Sequence, residues 1–440
     1  MQKIYSFILM LQVTVYSHSQ SNMPFLARND SKHLSPNPDT LTTSVNKNYP
    51  ADTTAVASLL ATAVTKYDIK DFKGAIEDYN QALYLDSTCT FVFFNRALAK
   101  DSLLDFTGAI EDYTRAIESG AYTAKAYMNR GIAKDNIDDS AGAIADFSMA
   151  IATDSLYTLA YVNRGIAKDD RNQYNDAIDD YTKAVALSPG FASAWELRAK
   201  AKKTLNNYAG AIEDFTKAAE LDPKNPLLYY CRGQAKDSLR NFKAAIADYT
   251  KSIALDISNA AFFISRGIAK DSISDYKGAV EDYDKAIAIT PEDLQLYLRS
   301  AVARKNMKDF QGALYDCTLA LKVNTSCAEA YRIKGLTKYE LKDYLGAIGE
   351  YNKAIELQPG YADAYRTRGF AKAKLGDLKG ALSDYDKAIE INSDDAEAYY
   401  NRGIIKIALN QKEAGCPDLK KAAAAGHNNA QKLLKKYCGE

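Results

Sequence analysis

The 440-residue sequence contains only three histidines, and none lies in its repetitive central part. His18 and His33 are near the start, and His427 is near the end. The sequence also lacks a metal-ligand spacing, a glycine-rich phosphate loop and a nucleophile with a partner base. Histidine is the commonest general base and metal ligand in proteins. We therefore expect no enzymatic activity, no cofactor and no metal site.

An excess of charge of one sign is also lacking. Lys and Arg together number 56, and so do Asp and Glu, which gives a formal net charge of zero. Domains that bind nucleic acid normally carry a basic excess on the binding face. The composition therefore predicts no nucleic-acid partner, and any recognition must depend on local features of the surface.

Long apolar runs are absent after the first fifteen residues, so we expect no membrane span. Near the start, Lys3 precedes an apolar run at residues 4–15, and the small residues Ser17 and Ser19 follow it. This order is typical of a secretory signal peptide. We predict a signal peptide over residues 1–19 and an exported protein, periplasmic or secreted. The alternative is a cytoplasmic chain with an apolar N-terminus.

An alanine recurs every 34 residues without a slip, which indicates that one structural unit is repeated along the chain. The alanines are Ala75, Ala109, Ala143, Ala177, Ala211, Ala245, Ala279, Ala313, Ala347 and Ala381. We number each unit so that this alanine is position 20, and eleven units then begin at residues 56, 90, 124, 158, 192, 226, 260, 294, 328, 362 and 396, the last one degenerate. In each unit, small and aromatic residues share the faces of two amphipathic helices.

The period, the small residues at positions 8 and 20, the aromatic residue at 24 and a closing proline such as Pro189 resemble the tetratricopeptide repeat (TPR) family over residues 54–425. The resemblance implies an all-α solenoid of helix-turn-helix units forming a right-handed superhelix. It also implies that the first helices line a concave groove that binds peptides or protein segments. Residues 20–53 are polar and are predicted to be a disordered linker. Residues 426–440 are predicted to form a C-terminal capping helix.

Two columns of charge depart from the common TPR pattern. Position 7 is mostly Arg and position 11 mostly Lys, one helical turn apart, whereas position 23 on the second helix is acidic in every unit. We predict a continuous Arg-Asp-Lys ladder that sets the register of the repeats, the alternative being a solvated face with screened charges. In the third and fourth units the ladder residues are Arg130, Lys134, Asp146, Arg164, Lys168 and Asp180.

A candidate peptide-binding surface lies on the first helices of the second to fourth units. Position 6 is Asn in all three, and an amide can both donate to and accept from a peptide backbone. The predicted set is Asn95, Asn129, Asn163, Phe94, Met128, Val162, Leu98, Ile132 and Ile166. Position 12 adds acidic residues, which makes the groove both apolar and acidic. The alternative is that the apolar residues pack between adjacent first helices and that the asparagines merely solvate or cap them.

Cys416 and Cys438 lie at similar distances on either side of Gly426, a plausible helix C-cap. A helical hairpin that turns there would bring the two thiols side by side. In an oxidising compartment we predict a disulfide that closes the cap onto the array, and the alternative is two buried thiols.

These features favour a non-enzymatic scaffold that binds an extended protein or peptide segment in its groove. The alternative is a structural spacer, or a solenoid that self-associates without a peptide ligand.

Overall fold

The computed structural model describes residues 53–439, so the predicted signal peptide and almost all of the predicted linker lie outside the described residues. This part of the chain contains 23 α-helices, one π-helix and no strand. The helices are α1 Thr53–Asp68, α2 Phe72–Leu85, α3 Phe91–Ser102, α4 Phe106–Glu118, α5 Thr123–Asp135, α6 Ser140–Thr153, α7 Thr158–Asp170, α8 Tyr174–Leu187, α9 Ala192–Thr204, α10 Tyr208–Leu221, α11 Pro226–Ser238, α12 Phe242–Leu255, α13 Ala260–Ser272, α14 Tyr276–Ile289, α15 Leu294–Asn306, α16 Phe310–Val323, α17 Ala328–Glu340, α18 Tyr344–Leu357, α19 Ala362–Lys374, α20 Leu378–Ile391, α21 Ala396–Ala408, α22 Lys412–Ala424, α23 Ala430–Leu433 and the π-helix Leu434–Cys438.

Each odd-numbered helix up to α21 packs against the even-numbered helix that follows it, so that α1 and α2 form the first unit and α21 and α22 the eleventh. The described residues divide into two compact modules. The N-terminal module ends at residue 223 and contains five helical pairs. The C-terminal module begins at residue 224 and contains six pairs and the final short helices. The predicted all-α repeat of helical hairpins is therefore confirmed.

A residue in the left-handed backbone conformation turns the chain between the two helices of each unit. Position 15 has a positive φ throughout, for example 63° at Leu104, 60° at Asn172 and 81° at Gly376. After Leu104, the Asp105 N–H donates to the Lys100 carbonyl at 2.9 Å, as in a Schellman motif. The Asp105 carboxylate accepts from the Gly108 N–H at 3.0 Å and caps α4. These hydrogen bonds within the turn set the angle between the two helices of the unit.

The two helices of a unit meet where the sequence has its smallest residues. Ala177 is completely buried, and so is the Tyr181 side chain one turn later on α8. A Cβ atom built on Gly165 of α7 would lie 2.6 Å from Cε1 of Tyr181, far inside van der Waals contact. The tyrosine ring thus lies directly on the backbone of the first helix. Position 8 must stay small because the aromatic ring at position 24 occupies the space of a side chain.

The C-terminal end differs from the sequence prediction in its boundaries. The turn at Gly426, with φ of 85°, extends through Asn429, and the final helical segment begins only at Ala430. His427 was expected inside this helix, but it lies in the turn before it. Helix α22 begins at Lys412 and contains Pro417 in its interior. Within the last segment only Ala430 and Leu434 are buried, so the segment begins where its first buried residue packs against the last unit.

A disulfide joins Cys416 on α22 to Cys438 at the end of the π-helix, with a Cα–Cα distance of 5.9 Å. Leu434, on the same short segment, is buried. The cap is thus attached to the last unit by both a covalent link and an apolar contact. Among residues 53–439, no helix is long and apolar enough to cross a membrane.

Candidate functional site

The acidic residue at position 23 is held by two cations from the first helix of its own unit. In the fourth unit, Arg164 Nε and Nη2 donate to the two carboxylate oxygens of Asp180 at 2.9 and 2.6 Å. Lys168 Nζ lies 2.8 Å from Asp180 Oδ2. Asp180 is only 3% exposed. A bidentate arginine and a lysine therefore neutralise a buried carboxylate, as such a charge requires.

The same arrangement recurs along both modules. In the third unit, Arg130 Nε and Nη2 bind Asp146 at 2.8 and 2.7 Å, and Lys134 Nζ lies 2.8 Å from its Oδ2. These carboxylates are buried, so the predicted alternative of a solvated charged face does not describe them. Other carboxylates held by an Arg and a Lys in this way are Asp112, Asp214, Asp248, Asp282, Asp384 and Asp418.

The ladder arginine also reaches the preceding unit, which sequence reasoning missed. Arg164 Nη1 donates to Ser148 Oγ on α6 at 3.1 Å. Arg130 Nη1 likewise donates to Thr114 Oγ1 at 2.9 Å. Both acceptors are at position 25, where small polar residues recur. One guanidinium thus binds two consecutive units, and the repeated Ser, Thr or Asn at position 25 was the signal in the sequence.

In two units of the C-terminal module, position 7 is not arginine, and the bond to the preceding unit changes. In the eighth unit position 7 is Ser300, and Arg304 at position 11 takes over, with Nε 2.9 Å from Asp316 and Nη2 3.0 Å from Asp284 of the preceding unit. In the ninth unit Lys334 and Lys338 both bind Glu350, at 3.3 and 2.7 Å. Within residues 224–439, neither of these lysines forms a hydrogen bond to the preceding unit.

Part of the predicted peptide-binding set lies in the protein core. Phe94 is 3% exposed, Met128 is 1% exposed and Val162 is fully buried. Each packs among the alanines and aromatic residues of its own unit and the next. The prediction that these three side chains line an accessible groove is therefore wrong. Position 5 packs against the second helix of its own unit and the first helix of the next, so the alternative interpretation, in which these apolar residues are packed in the core, describes it better.

The three asparagines are also largely buried, with 6%, 8% and 1% exposure for Asn95, Asn129 and Asn163. Asn95 Nδ2 donates to the Phe91 carbonyl at 3.4 Å, within its own helix. Asn163 Nδ2 lies 3.8 Å from the Met128 sulfur on α5. The prediction that the three asparagines line an open groove is therefore wrong, because their side chains are buried. The buried Asn163 Oδ1 nevertheless has no hydrogen-bond partner.

Position 9 is the accessible part of the predicted set. Leu98, Ile132 and Ile166 are half-buried on α3, α5 and α7, and each lies beside the core of its unit. We call these three residues the aliphatic column. Their outer surfaces are the apolar area that the predicted groove retains.

Carboxylates without ion pairs lie beside the aliphatic column. Asp135 at the end of α5 and Asp169 and Asp170 at the end of α7 form no ion pair with any other residue of the described part of the chain, and we call them the acidic strip. Burial raises the pKa of Asp135 to about 6, and the negative charge of Asp170 adds to the effect. Burial also raises the pKa of Asp169 to about 6, with Asp170 again contributing and Lys200 opposing. Asp135 and Asp169 are therefore partly desolvated, and, unlike the ladder carboxylates, they are not held by a bidentate arginine and a lysine.

The described residues contain no group of three or more His, Cys, Asp or Glu side chains arranged to hold a metal ion. His427 stacks on Tyr400 at a ring distance of 3.9 Å, and its Nε2 lies 3.2 Å from Glu397. This histidine belongs to the packing of the cap.

Comparison with known families agrees with the helical hairpins. A family model described as TPR repeat matches residues 199–236, 335–376 and 371–409, and one described as Tetratricopeptide repeat matches residues 159–191. These matches support the tetratricopeptide repeat family for this chain, whose fold is an all-α TPR solenoid. A search of curated protein sequences gives no significant match.

Several solved structures are similar to the chain at low sequence identity. Yeast Tom70 is 16% identical, with 87% of this chain and 94% of that chain covered and a TM-score of 0.42. A tetratricopeptide repeat protein from Parabacteroides merdae is 18% identical, with 56% and 98% covered and a TM-score of 0.40. YrrB, described as a TPR protein with an unusual peptide-binding site, is 26% identical, with 43% and 97% covered and a TM-score of 0.36. The fold assignment rests on the helix pairs and the family matches, since these TM-scores are low.

Proposed function

We propose that this protein is a non-catalytic interaction scaffold that holds an extended segment of a partner protein along the first helices of its N-terminal module. The observation that carries this proposal is the aliphatic column. Leu98, Ile132 and Ile166 present half-buried apolar surface at the same position of three consecutive units. A side-chain pocket that recurs from unit to unit suits a chain that runs along the array.

The ladder supports the same role by holding this surface in a fixed register. Arg130 and Arg164 each bind a buried carboxylate of their own unit and a hydroxyl of the preceding unit. The residues of the aliphatic column are thus held at a constant spacing from unit to unit before a ligand binds. Such preorganisation lowers the ordering cost of binding.

Selection of short peptides from a random library against the full chain tests this proposal. We expect selected peptides to bind the double variant Ile132→Asp/Ile166→Asp at least about tenfold more weakly, because two apolar contacts are lost. Met149 on α6 is also partly exposed, and Met149→Asp provides a matched control on a second helix. Failure to select any peptide, or equal binding by all three proteins, would contradict a peptide-binding groove.

A spacer that carries no ligand is the second candidate, and the regularity of the ladder favours it. The spacer hypothesis predicts that the protein denatures normally and that the library yields no peptide that binds it. Self-association, with or without a ligand, would appear as an increase of mass with concentration in light scattering coupled to size exclusion.

We further propose that the protein is exported to an oxidising compartment, either the periplasm or the exterior. The Cys416–Cys438 disulfide supports this proposal, because such bonds persist mainly outside the reducing cytosol. Alkylation of denatured, unreduced protein from separated cell fractions would test it. Export predicts that the protein is found outside the cytosol with these two thiols protected, whereas cytosolic protein with six labelled thiols would refute it.

A further inference from the structure

Two consecutive second helices of the C-terminal module, α16 and α18, carry no charge at positions 18 and 22, which face away from the core. These positions, which we call the outer patch, are Gln311, Tyr315, Leu345 and Gly349. In the seventh unit the same positions are Lys277 and Glu281. Tyr315 is 64% exposed and Leu345 is 74% exposed, and both helices pack against α17. The eighth and ninth units thus replace a charged surface with an uncharged one that contains two large apolar side chains.

The outer patch has a projecting side chain on one helix and a gap on the other. Tyr315 projects from α16, whereas Gly349 at the same position of α18 has no side chain, and a Cβ atom built there would meet nothing within 4 Å. Elsewhere a helical glycine is required by packing, as at Gly335, where a Cβ atom would lie 2.5 Å from Cε1 of Tyr351. Glycine weakens a helix interior, and no contact within the described chain requires one at residue 349.

Charges of opposite sign flank the projection and the gap. Lys322 follows Tyr315 by seven residues and Glu356 follows Gly349 by seven, so each charge lies on the same helix face as its neighbour in the outer patch. Both charged side chains are exposed, and neither forms an ion pair with another residue of the C-terminal module. The exposed face of α16 is therefore complementary to that of α18 in both shape and charge.

We propose that the outer patch binds the outer patch of a second copy of this chain, in a dimer whose two-fold axis runs parallel to α16 and α18. The α16 helix of each copy then faces the α18 helix of the other. Tyr315 enters the gap at Gly349, and Lys322 lies opposite Glu356. Each contact occurs twice, as in any isologous interface. This surface is separate from the aliphatic column, so the inference does not depend on the proposed function.

The size of the surface sets the expected affinity. The outer patch and its two flanking charges form a small contact, and interfaces below about 1,200 Å² are typical of weak or transient complexes. We therefore expect a dissociation constant that is micromolar or weaker. Sedimentation equilibrium of the full chain, measured over concentrations up to the millimolar range, determines this constant.

Two substitutions test the shape of the contact. Tyr315→Glu removes the projection and Gly349→Gln fills the gap, and each should weaken the dimer at least about tenfold, because a central aromatic contact is lost. Tyr84 on α2 is 90% exposed, so Tyr84→Glu is a matched control that should leave the dimer unchanged. Unchanged helical circular dichroism shows that each variant remains folded.

Reversal of the flanking charges tests the orientation of the two copies. Lys322→Glu or Glu356→Lys alone should weaken the dimer about threefold to tenfold, because like charges then face each other twice. The double variant Lys322→Glu/Glu356→Lys rebuilds both pairs and should recover the wild-type constant. Higher salt should reduce the effect of each single reversal.

Several outcomes would overturn the inference. A monomer mass at every concentration would refute the second copy and leave the outer patch to a different partner. A dimer that Tyr315→Glu does not weaken, or that Tyr84→Glu weakens equally, would place the contact elsewhere. Failure of the double charge reversal to recover the dimer would refute the parallel arrangement. A mass that rises beyond that of a dimer would refute a closed two-fold contact.

Discussion

Replacement of a single ladder carboxylate should destabilise the N-terminal module far more than replacement of its exposed neighbour. Asp214 on α10 accepts from Arg198 Nε and Nη2 at 2.8 and 2.7 Å, and Lys202 Nζ lies 2.8 Å from its Oδ2. Its side chain is 3% exposed. Asp214→Asn preserves the shape of the residue but leaves two cations without their counter-charge.

The expected magnitude follows from the burial of those cations. Removing one partner of a buried ion pair costs about 3–5 kcal/mol. The side chains of Arg198 and Lys202 retain 12% and 17% exposure and can recover part of their hydration. We therefore expect a loss of about 2–3 kcal/mol in the free energy of unfolding. The Nη1 bond from Arg198 to Thr182 on α8, at 3.1 Å, should weaken as well and spread the effect to the preceding unit.

Two measurements check this expectation. Urea denaturation followed by far-ultraviolet circular dichroism gives the global effect, and hydrogen exchange of the α9 and α10 amides gives the local one, because a repeat array can open by parts. The adjacent Glu213 is exposed and forms no ion pair, so Glu213→Gln is the matched control. If Asp214→Asn and Glu213→Gln shift the midpoint equally, the ladder contributes no more than ordinary surface charge and our reasoning is wrong.

Other features lead to four shorter predictions. Gly165→Ala should cost about 1–3 kcal/mol by urea denaturation, because the new methyl would meet the ring of the facing tyrosine. Leu104→Gly should raise stability by up to about 1 kcal/mol in the same assay, since φ at this exposed turn is 63°. Cys438→Ser should destabilise the cap by about 3 kcal/mol and accelerate hydrogen exchange in the last helix. Because the folded pKa of Asp135 and Asp169 is raised to about 6, their protonated forms stabilise the fold, and stability should decrease as pH rises from about 4 through 6.

Each of these predictions has a matched comparison. Gly190→Ala adds a methyl where nothing lies within 4 Å and should cost much less than Gly165→Ala. Leu104→Ala keeps the strained turn and should give no gain. Wild-type protein treated with reductant should behave like Cys438→Ser, and a cap that is indifferent to both treatments would argue against a stabilising disulfide. The variant Asp135→Asn/Asp169→Asn should have a flatter stability profile between pH 4 and 7, and an unchanged slope would contradict burial as its cause.

The repeated sequence was sufficient to predict the hairpins and their main packing. A 34-residue period with small residues at positions 8 and 20 leaves few alternatives, and Gly165 and Tyr181 meet as that pattern indicates. The residues of the Arg-Asp-Lys ladder could also be predicted, because charged side chains that flank a packed face need partners of opposite charge. The bond from position 7 to position 25 of the preceding unit was missed, since a Ser or Thr such as Ser148 on a helix normally suggests only an exposed surface.

The binding surface was predicted less well, for a physical reason. Helical periodicity shows which residues share a face, but it does not show how closely the next unit covers that face. Positions 5 and 6 proved to be covered by the surrounding helices, so Val162 and Asn163 are buried while Ile166 is only half-buried. Desolvation depends on the same coverage, which is why the raised pKa of Asp169 required coordinates.

The lysines of the ninth unit have a consequence for how disorder spreads through the C-terminal module. Where an arginine binds two consecutive units, the melting of one unit removes a bond from the next, and unfolding becomes cooperative across their boundary. Lys334 and Lys338 bind only Glu350 of their own unit, so this boundary lacks the shared guanidinium. Fraying that begins at the C-terminus should therefore advance as one step through the units after residue 328 and pause there, leaving the earlier helical pairs of the module folded.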